Sequence, residues 1–141
     1  MNKRLIDDFC QLYQTLGKDN LNQLTNVYQQ DIVFIDPIHE VQGLNALVEY
    51  FAHLYQNLLF CRFTIENIIL GDEQASVFWT MHYRHSKINS AKCIAVNGCS
   101  LLKYTDKIYY HRDFFDMGQM LYEQLPVLGS LIKVVKKRAS R

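Results

Sequence analysis

Two prolines and six glycines in 141 residues leave little to punctuate the chain, and collagen-like or low-complexity disordered architectures need far more of both. Charge of one sign is also lacking, with fifteen Lys and Arg against fourteen Asp and Glu for a net +1. A dedicated nucleic-acid binder needs a basic excess to displace the counterions around phosphate, so that role is not expected. No apolar run approaches the roughly 18 residues of a membrane-spanning helix. The opening stretch MNKRLIDDFCQLYQTL begins with a basic pair, but Asp7 and Asp8 interrupt what would be the apolar part of a signal peptide. A soluble, cytoplasmic protein is the expectation.

Cysteine and histidine pairs at metal-binding or redox spacing are missing too. Cys10, Cys61, Cys93 and Cys99 contain no C-x-x-C, and His39, His53, His82, His85 and His111 show no zinc-type spacing against them. Neither a metal nor a cofactor is expected. The four cysteines read as buried free thiols, with two disulfides as the alternative.

What the chain does have is apolar content, 49% hydrophobic and 13% aromatic. A single domain of this length buries roughly 68–70% of its unfolded surface, enough for a core and an internal pocket. Leu5, Phe9, Leu12, Tyr13 and Leu16 recur at helical spacing, and Gly17 can end that helix. A second short helix is predicted from Asn20 to about Tyr28. The period then changes to the β-branched and aromatic run Asp31 to Asp36, stopped by Pro37. After Gly43, Leu44, Leu47, Val48, Phe51, Leu54 and Tyr55 again mark a helix.

From Phe60 onward long strands alternate with turns. Cys61 to Leu70 and Ala75 to Ser86 flank the turn Gly71 to Gln74 and form a hairpin. Lys87 to Lys92 leads to a strand from Cys93 to Tyr104, and Thr105 to Lys107 turns into the strand Ile108 to Asp116. Helical segments follow over Gly118 to Leu125 and Val127 to Arg138, with Pro126 between them. Helices first and a strand meander afterwards predict an α+β fold, a cone-shaped curved sheet packed against the N-terminal helices with an extra helical tail. One domain spanning 1–141 is expected, its basic tail beginning near 119. Several strands are apolar at both parities (Val77, Trp79 and Met81 against Phe78), as in a sheet covered on both faces.

This order of elements resembles the nuclear transport factor 2-like superfamily, and within it the SnoaL-like proteins, over about Arg4 to Gln119. The resemblance rests on the N-terminal helix pair, the first strand ending in Asp36-Pro37, the helix after Gly43, and the final KIYYHRDFFDMG from Lys107 to Gly118. That segment is similar to the family ending G-K-I-x-x-x-x-D-x-x-D, with Asp113 and Asp116 at the acidic positions and Arg112 where tryptophan is frequent. The resemblance implies a homodimer through the open sheet face and a cone that holds a small hydrophobic molecule. It also implies either an isomerase, cyclase or hydrolase, or a module with no catalysis.

On that resemblance Asp113 matches the acidic residue with which family enzymes move protons. Strand alternation places His111 as its neighbour on one face, with Tyr109 and Phe115, leaving Ile108, Tyr110, Arg112 and Phe114 opposite. Asp113 and His111 are the candidate catalytic pair; an ion pair of Asp113 with Arg112 or Arg84 is the alternative. Asp36 and His39 sit just past the first strand and could bracket a ligand's polar atom, or simply cap the turn before and after Pro37. Trp79 reads equally as core or as the floor of an apolar pocket. Arg84, Asn97, Ser100 and Phe115 complete the candidate ligand-binding set, Asn97 and Ser100 on opposite faces of their strand.

The tail carries an apolar stripe, Val127, Leu128, Leu131, Ile132 and Val135, beside Lys133, Lys136, Lys137 and Arg138. It reads as packing over the domain or pocket mouth, or as a membrane-surface or partner contact. The five basic residues from Lys133 onward leave ten basic against fourteen acidic residues in the rest of the chain, so a mildly acidic body ends in a basic tail.

Overall fold

The computed structural model describes residues 2–120 and 128–140. Helix α1 (Asn2–Thr15) and a 3-10 helix (Leu21–Asn26) lead into β1 (Tyr28–Ile35) and a short β2 (Glu40–Gln42). Helix α2 (Leu44–Tyr55) precedes four long strands, β3 (Leu58–Leu70), β4 (Gln74–His85), β5 (Ile94–Tyr104) and β6 (Ile108–Phe115). A single turn, α3 (Met117–Met120), and a final helix, α4 (Leu128–Ala139), complete the described chain. The strands form one six-stranded curved sheet in the order β2-β1-β6-β5-β4-β3. All neighbours are antiparallel except β1 and β6.

The α+β architecture is as expected, with local departures. The second predicted helix tightens to a 3-10 helix, and Tyr28 already opens β1. Strand β2 escaped the sequence reading because three residues are too few to show a period. Gly43 joins it to α2 with φ +92°, a conformation that costs an L side chain its Cβ clearance, while its N–H donates to the carbonyl of Ile32 at 2.7 Å. Residues 121–127 of the tail, including Pro126 and Val127, lie outside the described residues.

The buried face of α1 (Leu5, Ile6, Phe9, Leu12, Tyr13) and that of α2 (Leu44, Leu47, Phe51) close over the concave side of the sheet. Register shifts interrupt β3 between Leu58 and Phe60 and between Ile65 and Asn67, and bulges of this kind bend a sheet. A further shift in β6 alters the expected faces. Lys103 pairs with Tyr110 but Tyr104 pairs with Ile108, so Tyr109 is the extra residue. Ile108 is therefore buried and Tyr109 exposed, the reverse of simple alternation, while His111, Asp113 and Phe115 keep the inward phase.

Helix α4 is tethered by Lys136 Nζ, 2.8 Å from Asp116 Oδ2. Of the stripe expected there, Leu131 and Val135 are exposed and Ile132 is half-buried, and no described residue of α4 lines the cavity. The cysteines are all free, but only Cys10 is buried; Cys61 and Cys99 are half-buried and Cys93 is exposed.

Candidate functional site

The concave side of the sheet and the two long helices enclose a cavity of about 270 Å³. Strand alternation aims Trp79, Met81, Tyr83 and His85 of β4 into it, and β6 adds Asp113 and Phe115. Phe34 of β1 adds a ring from the same sheet, and Tyr13 of α1 with Tyr50, Phe51 and Tyr55 of α2 line the helical side. Aromatic rings dominate this lining, and it contains no Lys or Arg among the described residues. Burial raises the Cys61 thiol to about 12 and, with help from Cys61, the Tyr83 phenol to about 12. Both lining groups are neutral at physiological pH.

Asp113 is one end of a buried hydrogen-bond chain. Ser100 is its register partner across β5 and β6, and Ser100 Oγ lies 2.5 Å from Asp113 Oδ1. His111, two residues back on the same strand, places Nε2 2.6 Å from that oxygen. Its Nδ1 is 2.6 Å from the Tyr28 hydroxyl, which in turn is 2.6 Å from the Tyr13 hydroxyl. On the other side Trp79 Nε1 donates to Ser100 Oγ at 2.9 Å.

Donor accounting orients the end of the chain that runs from Trp79 through Ser100 to Asp113. An indole N–H can only donate, so the Ser100 oxygen accepts from it and the Ser100 hydroxyl donates to Asp113. In the neutral His111 tautomer with its proton on Nε2, that N–H donates to Asp113, Nδ1 accepts from Tyr28, and the Tyr28 oxygen accepts from Tyr13. Burial above all holds both phenols well above their ordinary pKa, which keeps them protonated donors. No buried side-chain nitrogen or oxygen among the described residues is left without a partner. Both bonds to Asp113 fall on Oδ1, and Oδ2 makes no hydrogen bond to the described residues.

A second polar group sits at the rim. Asp36 Oδ1 accepts from the backbone N–H of Ile38 at 2.8 Å and of His39 at 2.7 Å, and Tyr50 donates to Oδ2. The Tyr50 oxygen is also 3.3 Å from His39 Nδ1. Burial, then the bond to Asp36, raises the Tyr50 phenol far above its usual range. Asp36 thus lines the cavity while fastening its own loop, and His39 is exposed beside it.

The structure therefore gathers Asp113, Trp79, Phe115 and Asp36 on the cavity wall. Ser100 and the fully buried His111 stand behind Asp113, not in the main cavity. Arg84 and Asn97 are not brought to the site. Both are exposed, Arg84 Nε donating to the Ala91 carbonyl at 2.9 Å and Asn97 Oδ1 accepting from Thr80 at 2.9 Å. Arg112 lies outside as well, over the Phe114 ring, so neither arginine pairs with Asp113. Sequence reasoning missed the polar roles of three tyrosines: it places Tyr13 on an apolar helix face and Tyr28 at the end of a short helix, and does not single out Tyr50. The available signal was that a buried tyrosine carries a hydroxyl needing a partner. Among the described residues no three His, Cys, Asp or Glu side chains are arranged to hold a metal ion.

The comparisons with known proteins agree with this geometry. No functionally curated protein matches the sequence. A protein from Jannaschia sp., named for the SnoaL-like polyketide cyclases, superposes with TM-score 0.71 at 13% identity, over 82% of this chain and 88% of that one. A protein of ketosteroid isomerase-like fold from Catenulispora acidiphila, solved with trimethylamine, gives 0.74 at 12% identity over 88% and 93%. A nuclear transport factor 2-like protein of unknown function from Burkholderia pseudomallei gives 0.74 at 12% over 84% and 93%. At such identities the likeness shows the fold alone. The profile of the SnoaL-like domain, however, matches residues 9–111, from the core of α1 to the buried histidine of β6, and the chain belongs to that family.

Proposed function

We propose that the cavity binds a small apolar or aromatic molecule and that Asp113 moves a proton on it, in an isomerase- or cyclase-type reaction. The observation that carries this reading is Asp113 itself. One carboxylate oxygen is anchored by His111 and Ser100 and the other makes no hydrogen bond to the described residues, in a residue that lines a mostly aromatic and aliphatic cavity. His111 does not meet the ligand; it is a positioning residue that holds the carboxylate through Nε2. A lining with two carboxylates and no Lys or Arg favours neutral or cationic ligands over anionic ones.

A positioned general base contributes about 10²–10⁴-fold in rate. The test is deuterium incorporation next to the carbonyl of cyclic and aromatic ketones incubated with the protein in heavy water, which reports proton abstraction whatever the final product. Incorporation that falls by at least about 10²-fold in Asp113→Asn supports the assignment; incorporation unchanged by the substitution removes Asp113 from the chemistry. Ligands that raise the melting temperature without any exchange would instead assign the cavity to binding alone.

We also propose that the outer face of the sheet pairs with a second copy of the chain. Phe78 is 38% exposed and Phe114 47% exposed on that face, a distribution that suits a covered surface. A dimeric mass by light scattering that becomes monomeric in Phe78→Glu/Phe114→Glu supports this; a monomeric wild type excludes it.

A further inference from the structure

Helix α4 takes no part in the site, and its surface is unlike the rest of the molecule. At about 100° per residue, Val134, Arg138, Leu131 and Val135 fall within one arc of the helix. The three apolar members are 49%, 59% and 65% exposed. Lys133 and Lys137 flank that arc on one side. On the other side lie Ile132, which is half-buried, and the exposed Lys136, whose pairing with Asp116 turns this side towards the body. The tether therefore sets the helix with its apolar arc outward.

No acidic residue follows Glu123, while the remainder of the chain is net acidic. We infer that α4 is a membrane-surface contact, which lays Leu131, Val134 and Val135 into the boundary of an anionic bilayer while Lys133, Lys137 and Arg138 reach lipid head groups. A short apolar stripe bordered by long basic side chains suits an interface between water and hydrocarbon, because lysine and arginine can keep their charges in the head-group layer. The charge pattern selects this occupant over a second copy. A two-fold pairing through the stripe would press two basic tails together. An anionic surface attracts the tail and repels the acidic body, so the helix leads.

The experiment is co-sedimentation of the full-length protein with vesicles of phosphatidylserine and phosphatidylcholine, with pure phosphatidylcholine vesicles as the comparison. Binding to the anionic vesicles only, weakened by salt, is expected. Lys133→Gln/Lys137→Gln/Arg138→Gln should weaken it about a hundredfold, at about fivefold per charge. Leu131→Gln/Val135→Gln should weaken it about tenfold or more, and because these side chains are exposed, the melting temperature should stay at the wild-type value. Absence of binding to anionic vesicles, equal binding to both vesicle types, or binding indifferent to both variants overturns the inference. Self-association lost in Leu131→Gln/Val135→Gln, without vesicle binding, would assign the stripe to a second copy and overturn it as well.

Discussion

Gly98 stands directly opposite Trp79 in the β4–β5 ladder, and its missing side chain is what lets the indole lie flat across the strand. A Cβ placed there would sit 2.2 Å from Trp79 Cη2, 2.5 Å from Cζ2 and 2.6 Å from Cζ3. Ordinary carbon contacts begin near about 3.5 Å, so in Gly98→Ala the ring must retreat by about 1 Å or more. It is not free to do so. Ser100 holds Nε1 at 2.9 Å, and the Phe63 and Phe115 rings pack at centroid distances of 5.2 and 6.3 Å. Overpacking of this kind costs about 1–3 kcal/mol, and a broken Trp79–Ser100 bond adds about 1 kcal/mol. The lower backbone entropy of alanine in the unfolded chain returns about 0.4–1 kcal/mol. The net expectation is a loss of about 1–3.5 kcal/mol, or roughly 3–12 °C in melting temperature for a chain of this size. Trp79 is the only tryptophan, so its emission reports the displacement while urea titration reports the stability. Gly17→Ala, where an added Cβ meets nothing within 4 Å, is the matched control. A Gly98→Ala protein as stable as the control, with unshifted emission, would refute the placement of the ring.

The hydrogen-bond chain makes a second expectation. Tyr28→Phe deprives buried His111 Nδ1 of its only donor and costs about 1–3 kcal/mol in urea unfolding, whereas Tyr13→Phe leaves that bond intact and costs less; equal costs would contradict the donor order. The tail gives a pH dependence. The bond from Lys136 lowers the Asp116 pKa, so the tether's contribution is fully present above about pH 4, the unfolded carboxylate range, and is lost as pH falls through the lowered folded value. Hydrogen exchange of the α4 amides should therefore accelerate, beyond the intrinsic pH effect, only in that acid window, and Lys136→Met should abolish the difference. The pair is exposed and contributes no more than about 1 kcal/mol.

The fold was legible wherever a period had room to repeat. The apolar face of α1, the face of α2 and the four long strands all appear in the pattern of side chains, and the predicted boundaries of the strands fall within three residues of those observed. Failures came where one residue changes the phase. The bulge at Tyr109 exchanged Ile108 and Tyr109 between faces, and nothing in the local composition announces it. Arg84 was a candidate only while its face was unknown; once Trp79 and Tyr83 point inward, alternation sends Arg84 out. The choice of Asp113, which lines the cavity, came from the family-like ending of β6. Its partners were not legible, because the link between Tyr28 and His111 spans 83 residues of sequence.

The two acidic residues on the cavity wall differ in what holds them, and that difference argues for their roles. Asp36 is fixed by its own loop, accepting from Ile38 and His39 within three residues and from Tyr50 across the rim. Two of these bonds close the turn around Pro37 and the third ties that turn to α2, so removing Asp36 should loosen the mouth. Asp113 is held by side chains from three adjacent strands: His111 on β6, Ser100 on β5 and, through Ser100, Trp79 on β4. Sheet ladders position side chains more rigidly than loops do, and a proton-transfer group needs that rigidity because small displacements cost large factors in rate. Burying a histidine and two phenols to anchor one carboxylate oxygen is also an arrangement that an apolar core of the same volume would not require. Both anchoring bonds fall on Oδ1, so the strand ladder fixes the carboxylate of a residue on the cavity wall, which is the placement that the proposed proton transfer requires.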